Sequence, residues 1–243
     1  MISRRRFRFV GGLAALFLLA QLTKAQEPKT PMFVSAEQLR IASVMPAPPA
    51  MNSDQTRAEL AELHSLQNSR TAAEIERAKA DDAEEDIFIF KNVLGEKFNR
   101  EALPLTAQLS DHVRNDEGIV VNPAKDFFKR PRPYQFDSTI SPVCKATSKV
   151  PDAYPSGHGT TGYLEAMVAT LIVPEKRDVI FGRLDEYLHN RLVCGVHYAS
   201  DVSASRSVAY AMIAIMLDNP QFKRELDAAR TETRHVLGLP LTN

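Results

Sequence analysis

The chain has 243 residues, 44% hydrophobic and 25% charged, enough for one or two domains with a real core, which excludes a disordered or collagen-like chain. Thirty basic and thirty acidic side chains cancel, but residues 1–25 carry five of the bases and no acid, leaving 25 bases against 30 acids in the remainder. A mildly acidic body without a basic block argues against nucleic acid as the main partner, because gripping a phosphate backbone takes clustered Lys and Arg.

Met1 to Arg8 is basic, Phe9 to Ala20 is uncharged, and Thr23 and Ala25 put small residues at the −3 and −1 positions of a cleavage site. This is the pattern of a signal peptide over residues 1–25. The uncharged run falls short of the ~20 residues that a bilayer span takes, so no stable membrane insertion is expected once the signal is removed. Ser3-Arg4-Arg5-Arg6-Phe7 resembles a twin-arginine export signal, with an ordinary secretory signal as the alternative. Either route predicts a periplasmic or secreted protein. Residues 26–53 hold five prolines and little periodicity, which predicts a mobile, extended arm. The globular domain is expected over residues 54–243.

From there the patterns are helical, with almost no alternation of apolar and polar residues. Asp54 is a candidate cap for a helix carrying Leu60, Leu63 and Leu66. Thr71 with Glu74 has the spacing of a capping box opening a second helix. Residues 86–116 predict further helices, interrupted at Pro104.

The chemistry is concentrated between Lys125 and Asp201. The run from Lys125 to Pro133 is cationic and broken by prolines. Alone it is a solvated basic loop, but prolines that stiffen Arg132 would hold a guanidinium fork ready for phosphate oxygens. Tyr154-Pro155-Ser156-Gly157-His158 then runs into a helix whose apolar residues Leu164, Met167, Val168, Leu171 and Ile172 fall on one face. A helix N-terminus offers free N–H groups and the positive end of the dipole, which suits an anion. A plain helix cap beside a chance histidine is the competing reading. Gly157, Gly159 and Gly162 also spell a formal GxGxxG, but a proline-rich segment precedes them where a dinucleotide site requires a strand.

The last element runs from Arg191 to Asp201. His197 and Asp201 stand four apart, one face of a helix, where a carboxylate can accept a proton from one ring nitrogen and leave the other as a free lone pair. A surface hydrogen bond or a pair of metal ligands would use the same spacing. No cluster of cysteines or carboxylates nearby completes a metal site, so neither a metal nor a cofactor is expected.

In order, the elements read Lys125-x6-Arg132-Pro133, Pro155-Ser156-Gly157-His158 and Arg191-x5-His197-x3-Asp201. This resembles the three-part signature of the type 2 phosphatidic acid phosphatase (PAP2) superfamily, which includes vanadium haloperoxidases. The signal peptide, the size and the acidic stretch from Ala80 to Asp86 look closest to bacterial class A nonspecific acid phosphatases. One position departs from the signature: Asn190 stands where the family usually has Ser.

The resemblance implies an all-α fold, a single helical-bundle domain of the PAP2/haloperoxidase type. It implies that Lys125, Arg132, Arg191, Ser156 and the amides of Gly157 and His158 bind the phosphoryl group. His197 would attack phosphorus, Asp201 would orient it, and a charged His158 would protonate the leaving alcohol. The implied activity is acid phosphatase on small-molecule phosphomonoesters through a phosphohistidine, with broad range and phosphotransfer to alcohols. A vanadate-dependent haloperoxidase and a non-catalytic phosphate-binding protein are the alternatives, and a homo-oligomer is left open. Cys144 and Cys194 form either a disulfide tying two motifs together or two buried thiols. His64, His112, His189 and His235 match no motif.

Overall fold

The computed structural model describes residues 29–146 and 148–241, so the expected signal peptide lies outside the described residues. Among the described residues the longer elements are all helices: α1 (Asp54–Ser69), α2 (Ala72–Ala83), α3 (Pro104–Phe128), α4 (Gly157–Ile172), α5 (Arg177–Val193), α6 (Ala199–Met216) and α7 (Pro220–Val236). None of these is long and apolar enough to cross a membrane.

Local chemistry explains the helix starts. The α1 cap is Ser53, one residue before the expected Asp54; its hydroxyl accepts the N–H of Thr56. Thr71 and Glu74 form the expected reciprocal box at α2. Pro104 opens α3 rather than interrupting a helix, because a first-turn residue has no N–H to lose.

Helix α4 is the centre of the bundle, with α3, α5, α6 and α7 all packed on it. Leu164, Ala166, Val168, Ala169 and Ile172 are fully buried, since a helix surrounded on several sides needs apolar residues on more than one face. Two glycines let its neighbours approach. A Cβ at Gly162 would lie 3.0 Å from the Tyr187 ring of α5, and one at Gly159 would lie 2.7 Å from Ser205 Oγ of α6. The N-termini of α4 and α6 are thereby brought together.

The segment expected to be a mobile arm is docked from residue 32 onward. The buried Asp116 carboxylate on α3 accepts the N–H groups of Met32, Phe33 and Val34 at 2.8, 2.6 and 2.8 Å. Phe33 packs edge-on against His112 and Phe222. Two large apolar side chains and one acceptor for three amides outweigh the effect of the prolines.

Candidate active site

Each of the three sequence elements occupies the end of a helix, and the packing around α4 makes them converge. Lys125 lies in the last turn of α3 rather than in a loop. Beyond it, Arg132 caps the turn Pro133–Phe136. Ser156 is the N-cap of α4, where its hydroxyl accepts the Gly159 N–H at 3.1 Å, as the capping reading expects. The Gly157 and His158 amides are in the first turn, where a helix supplies no acceptor. Arg191 lies in the last turn of α5. His197 precedes α6 and Tyr198 caps it, so the four-residue spacing to Asp201 is spanned at a helix entrance and not along a helix.

His197 is held at both nitrogens. Nδ1 stands 3.3 Å from Asp201 Oδ2, which also accepts the Tyr198 N–H at 2.9 Å. Nε2 stands 3.3 Å from Arg132 Nη1, a donor with no lone pair. These partners assign the proton to Nδ1 and a lone pair to Nε2. Burial, and then Arg132, Arg191 and Lys125, hold the imidazole well below its usual range. Burial pushes the Asp201 carboxyl up to about 7, against the pull of Arg130 and the Tyr198 N–H.

The cradle cations carry carboxylate partners that no motif announced. Arg132 Nε donates to Asp152 Oδ1 at 2.7 Å, and Arg191 Nη1 to Asp82 Oδ1 at 2.8 Å. Burial raises the Asp82 carboxyl, but the attraction of Arg191 and the Lys145 N–H together outweigh it and leave a lowered value. Glu117 lies under the cradle: a Cβ on Gly157 would stand 3.3 Å from Glu117 Oε1 and 3.5 Å from Lys125 Nζ. Burial raises the Glu117 carboxyl to about 7, against the pull of Lys125. Burial and then Arg132 lower the Lys125 ammonium.

His158 departs from the expectation of a charged imidazole. Its Nε2 lies 3.0 Å from Glu85 Oε1 and 3.2 Å from the Asp82 carbonyl, but burial and Arg191 press its pKa down to about 3. Asn190, at the position of the family Ser, donates instead to Asp81 at 2.7 Å, a carboxylate also held by Arg183. Its amide thus braces α5 against α2. Cys144 and Cys194 are disulfide-bonded. The grouping of donors Asp82, Cys144 and Cys194 is no metal site, since both sulfurs are spent on each other.

The cleft over these groups has a volume of about 660 Å³ and is lined by Arg132, His158 and Arg191 with Asp82, Glu85, Arg114, Tyr134 and Lys145. A separate cavity of about 480 Å³, between the proline segment and α6, contains none of the motif residues.

Residues 117–225 match the PAP2 superfamily, a span that takes in every residue of the three elements. The matched span is less than half of the chain, and the fold around it is helical. It is 32% identical over 146 residues to a non-specific acid phosphatase of Providencia stuartii, 32% over 147 to one of Salmonella typhimurium, and 31% over 134 to an acid phosphatase of Zymomonas mobilis. The matched part is 59% of this chain and 59% of the relative for the first two, and 54% and 50% for the third, so the chain spans well under two thirds of these relatives. By structure it is similar to a transmembrane PAP2-type phosphatidylglycerolphosphate phosphatase from Bacillus subtilis, with a TM-score of 0.50 over 74% of this chain and 90% of the other at 16% identity, a likeness of fold.

Proposed function

We propose that this chain is an exported acid phosphatase that hydrolyses phosphate monoesters through a phosphohistidine on His197. The observation that carries the reading is the juxtaposition at His197: an unprotonated Nε2 faces Arg132, beside Lys125 and Arg191, with Nδ1 held by a buried carboxylate. A neutral imidazole surrounded by fixed cations is suited to attack a phosphoryl group whose negative charge those cations stabilise.

In the first step Nε2 forms a bond to phosphorus while the ester P–O bond breaks, and His158 delivers a proton to the departing oxygen. In the second, water attacks the phosphohistidine, His158 accepts the water proton, and His197 is released with inorganic phosphate. The dianionic substrate, bearing ~−1.5 to −2 charge near pH 7, opposes the cations that depress His158, so the imidazole takes up its proton with the substrate. This favours acid pH. An alcohol in place of water gives phosphotransfer. The leaving-group side of the cleft mixes acidic and basic groups with Tyr134, a lining that favours broad acceptance over one shape.

The test is hydrolysis of p-nitrophenyl phosphate across pH 4 to 9 with EDTA present, by wild type and His197→Ala. Acid activity that survives EDTA and is lost in the variant is the expected result. Equal turnover by the variant refutes the mechanism. Halide oxidation with vanadate and peroxide, without phosphatase turnover, would establish the haloperoxidase reading instead.

A further inference from the structure

We propose that Arg130 and Glu59 are positioning residues: a buried relay that aims Asp201 at His197 and sets the acid side of the rate profile. The inference rests on the phosphatase reading above and adds two residues to which the three motifs give no role.

Asp201 is fully buried, and its two oxygens are divided between tasks. Oδ2 serves His197 Nδ1 and the Tyr198 N–H. Oδ1 accepts from Arg130 Nη1 at 2.6 Å. The same Nη1 reaches Ser200 Oγ at 2.7 Å, while Nη2 donates to Glu59 Oε2 at 3.0 Å. Glu59 closes the circuit, because its Oε1 accepts the Ser200 N–H at 2.7 Å in the first turn of α6. The Arg130 and Glu59 side chains are only 1% and 7% exposed, and the guanidinium lies 4.0 Å over the Tyr198 ring. Three remote parts of the chain thus meet behind the nucleophile: α1, the link after α3, and the entrance to α6.

The charges explain why this arrangement is more than a brace. One guanidinium is shared by two buried carboxylates, so Asp201 feels an attraction from Arg130 and a repulsion from Glu59. The other titratable or charged groups facing Asp201 are His197, Tyr198, Tyr154 and Lys125. An ionised Asp201 accepts a hydrogen bond from Nδ1–H and leaves the Nε2 lone pair on the Arg132 side. A protonated Asp201 donates to Nδ1 instead, which moves the imidazole proton to Nε2 and blocks attack. Removing the cation must therefore move the acid limb to higher pH, and removing the second anion must move it to lower pH.

The experiment is the pH profile of kcat/KM on p-nitrophenyl phosphate for wild type, Arg130→Gln, Arg130→Lys and Glu59→Gln, with inhibition by inorganic phosphate and thermal melting for each. The tautomer of His197 is read in parallel by 15N NMR. Arg130→Gln should lose about 10- to 100-fold in kcat, the size typical when the partner that orients a functional histidine group is removed. Its acid limb should move up and its phosphate inhibition change less than threefold. Arg130→Lys should recover part of the rate. Glu59→Gln should move the limb the other way. A purely architectural role would lower the rate in both variants without opposite shifts, and that result overturns the proposal. If Arg130→Gln does not fold, Glu59→Gln decides, since an unshifted or upward limb there is equally fatal. If wild type proves inactive, the phosphatase reading fails separately, and the relay stands or falls on whether Glu59→Gln or a folded Arg130 variant changes the Nδ1–H population of His197.

Discussion

Replacing Gly159 by Ala would test whether the crossing of α4 and α6 sets the geometry of the site. The added Cβ would lie 2.7 Å from Ser205 Oγ, 3.0 Å from Ser205 Cβ and 3.2 Å from Ser156 Cβ. None of these is the end of a long side chain that can swing away, so the helices must part by a few tenths of an ångström. Ser205 Oγ donates to the Ser156 carbonyl at 2.7 Å, and the Ser156 N–H donates to the Asp201 carbonyl at 3.2 Å. The displacement therefore separates the cradle from the partner of His197. Alanine gains up to ~1 kcal/mol in helix propensity, less in a first turn, while overpacking costs about 1–3 kcal/mol, so a net loss of about 1–2 kcal/mol is expected. Activity should fall roughly tenfold, since about 1 Å of misplacement can cost ~10²-fold. Urea midpoints and kcat/KM for Gly159→Ala, Ser205→Ala and the double variant measure both effects. Ser205→Ala removes the nearest clash, so the double variant should recover at least about 0.5 kcal/mol relative to additivity. An unperturbed Gly159→Ala, or a strictly additive double variant, would refute the reasoning.

The Cys144–Cys194 bond closes a loop with a separation of 50 residues. On chain entropy this is worth ~4 kcal/mol, so Cys144→Ser with Cys194→Ser should lower the melting temperature by roughly 8–16 °C, and an unchanged melt would show that the bond does not constrain the unfolded chain. His158→Asn should lose about 10²–10⁴-fold on alkyl phosphates and much less on p-nitrophenyl phosphate, whose phenolate leaves without a proton; equal losses would remove His158 from the role of acid. Burial raises the Glu165 carboxyl well above its usual range, so the folded state binds its proton more tightly than the unfolded chain does. That penalty is absent below the unfolded value and grows as pH rises toward the folded one. Glu165→Gln should therefore melt higher than wild type at pH 8 and equally near pH 4, and a gap that does not change with pH would count against a buried neutral acid.

What the sequence made legible was whatever is written locally. The Thr71–Glu74 box and the helix start at Ser156 depend on residues a few positions apart and are where the patterns put them, whereas Lys125 sits on a helix and His197 precedes one. The docking of residues 32–34 was not legible, because the acceptor that fixes them, Asp116, lies more than 80 residues away. Nor was the pairing of His158 with Glu85 or of Arg130 with Glu59, which topology alone creates. The acidic run from Ala80 to Asp86 was visible as part of a resemblance. It gave no hint that Asp82 and Glu85 face the cleft while Asp81 turns away to Arg183 and Asn190.

These hidden carboxylates have a common logic. Arg132 and Arg191 are each paired with one, Asp152 and Asp82, the His158 imidazole stands beside Glu85, and Lys125 feels the pull of Glu117. Bringing Lys125, Arg132 and Arg191 into one buried site without counter-charges would cost several kcal/mol per ion, and unpaired guanidinium groups would turn outward to water. Paired with a carboxylate, each arginine keeps a fixed direction before any ligand arrives, so little reorganisation is left to the reaction step. The same carboxylates repel an incoming phosphate, which weakens the binding of substrate and of product alike. Such an arrangement moderates affinity for the ground state while keeping the stabilisation aimed at the point of transfer. On the phosphatase reading, the acidic residues that a motif search passes over hold the basic ones in place and temper their grip on phosphate.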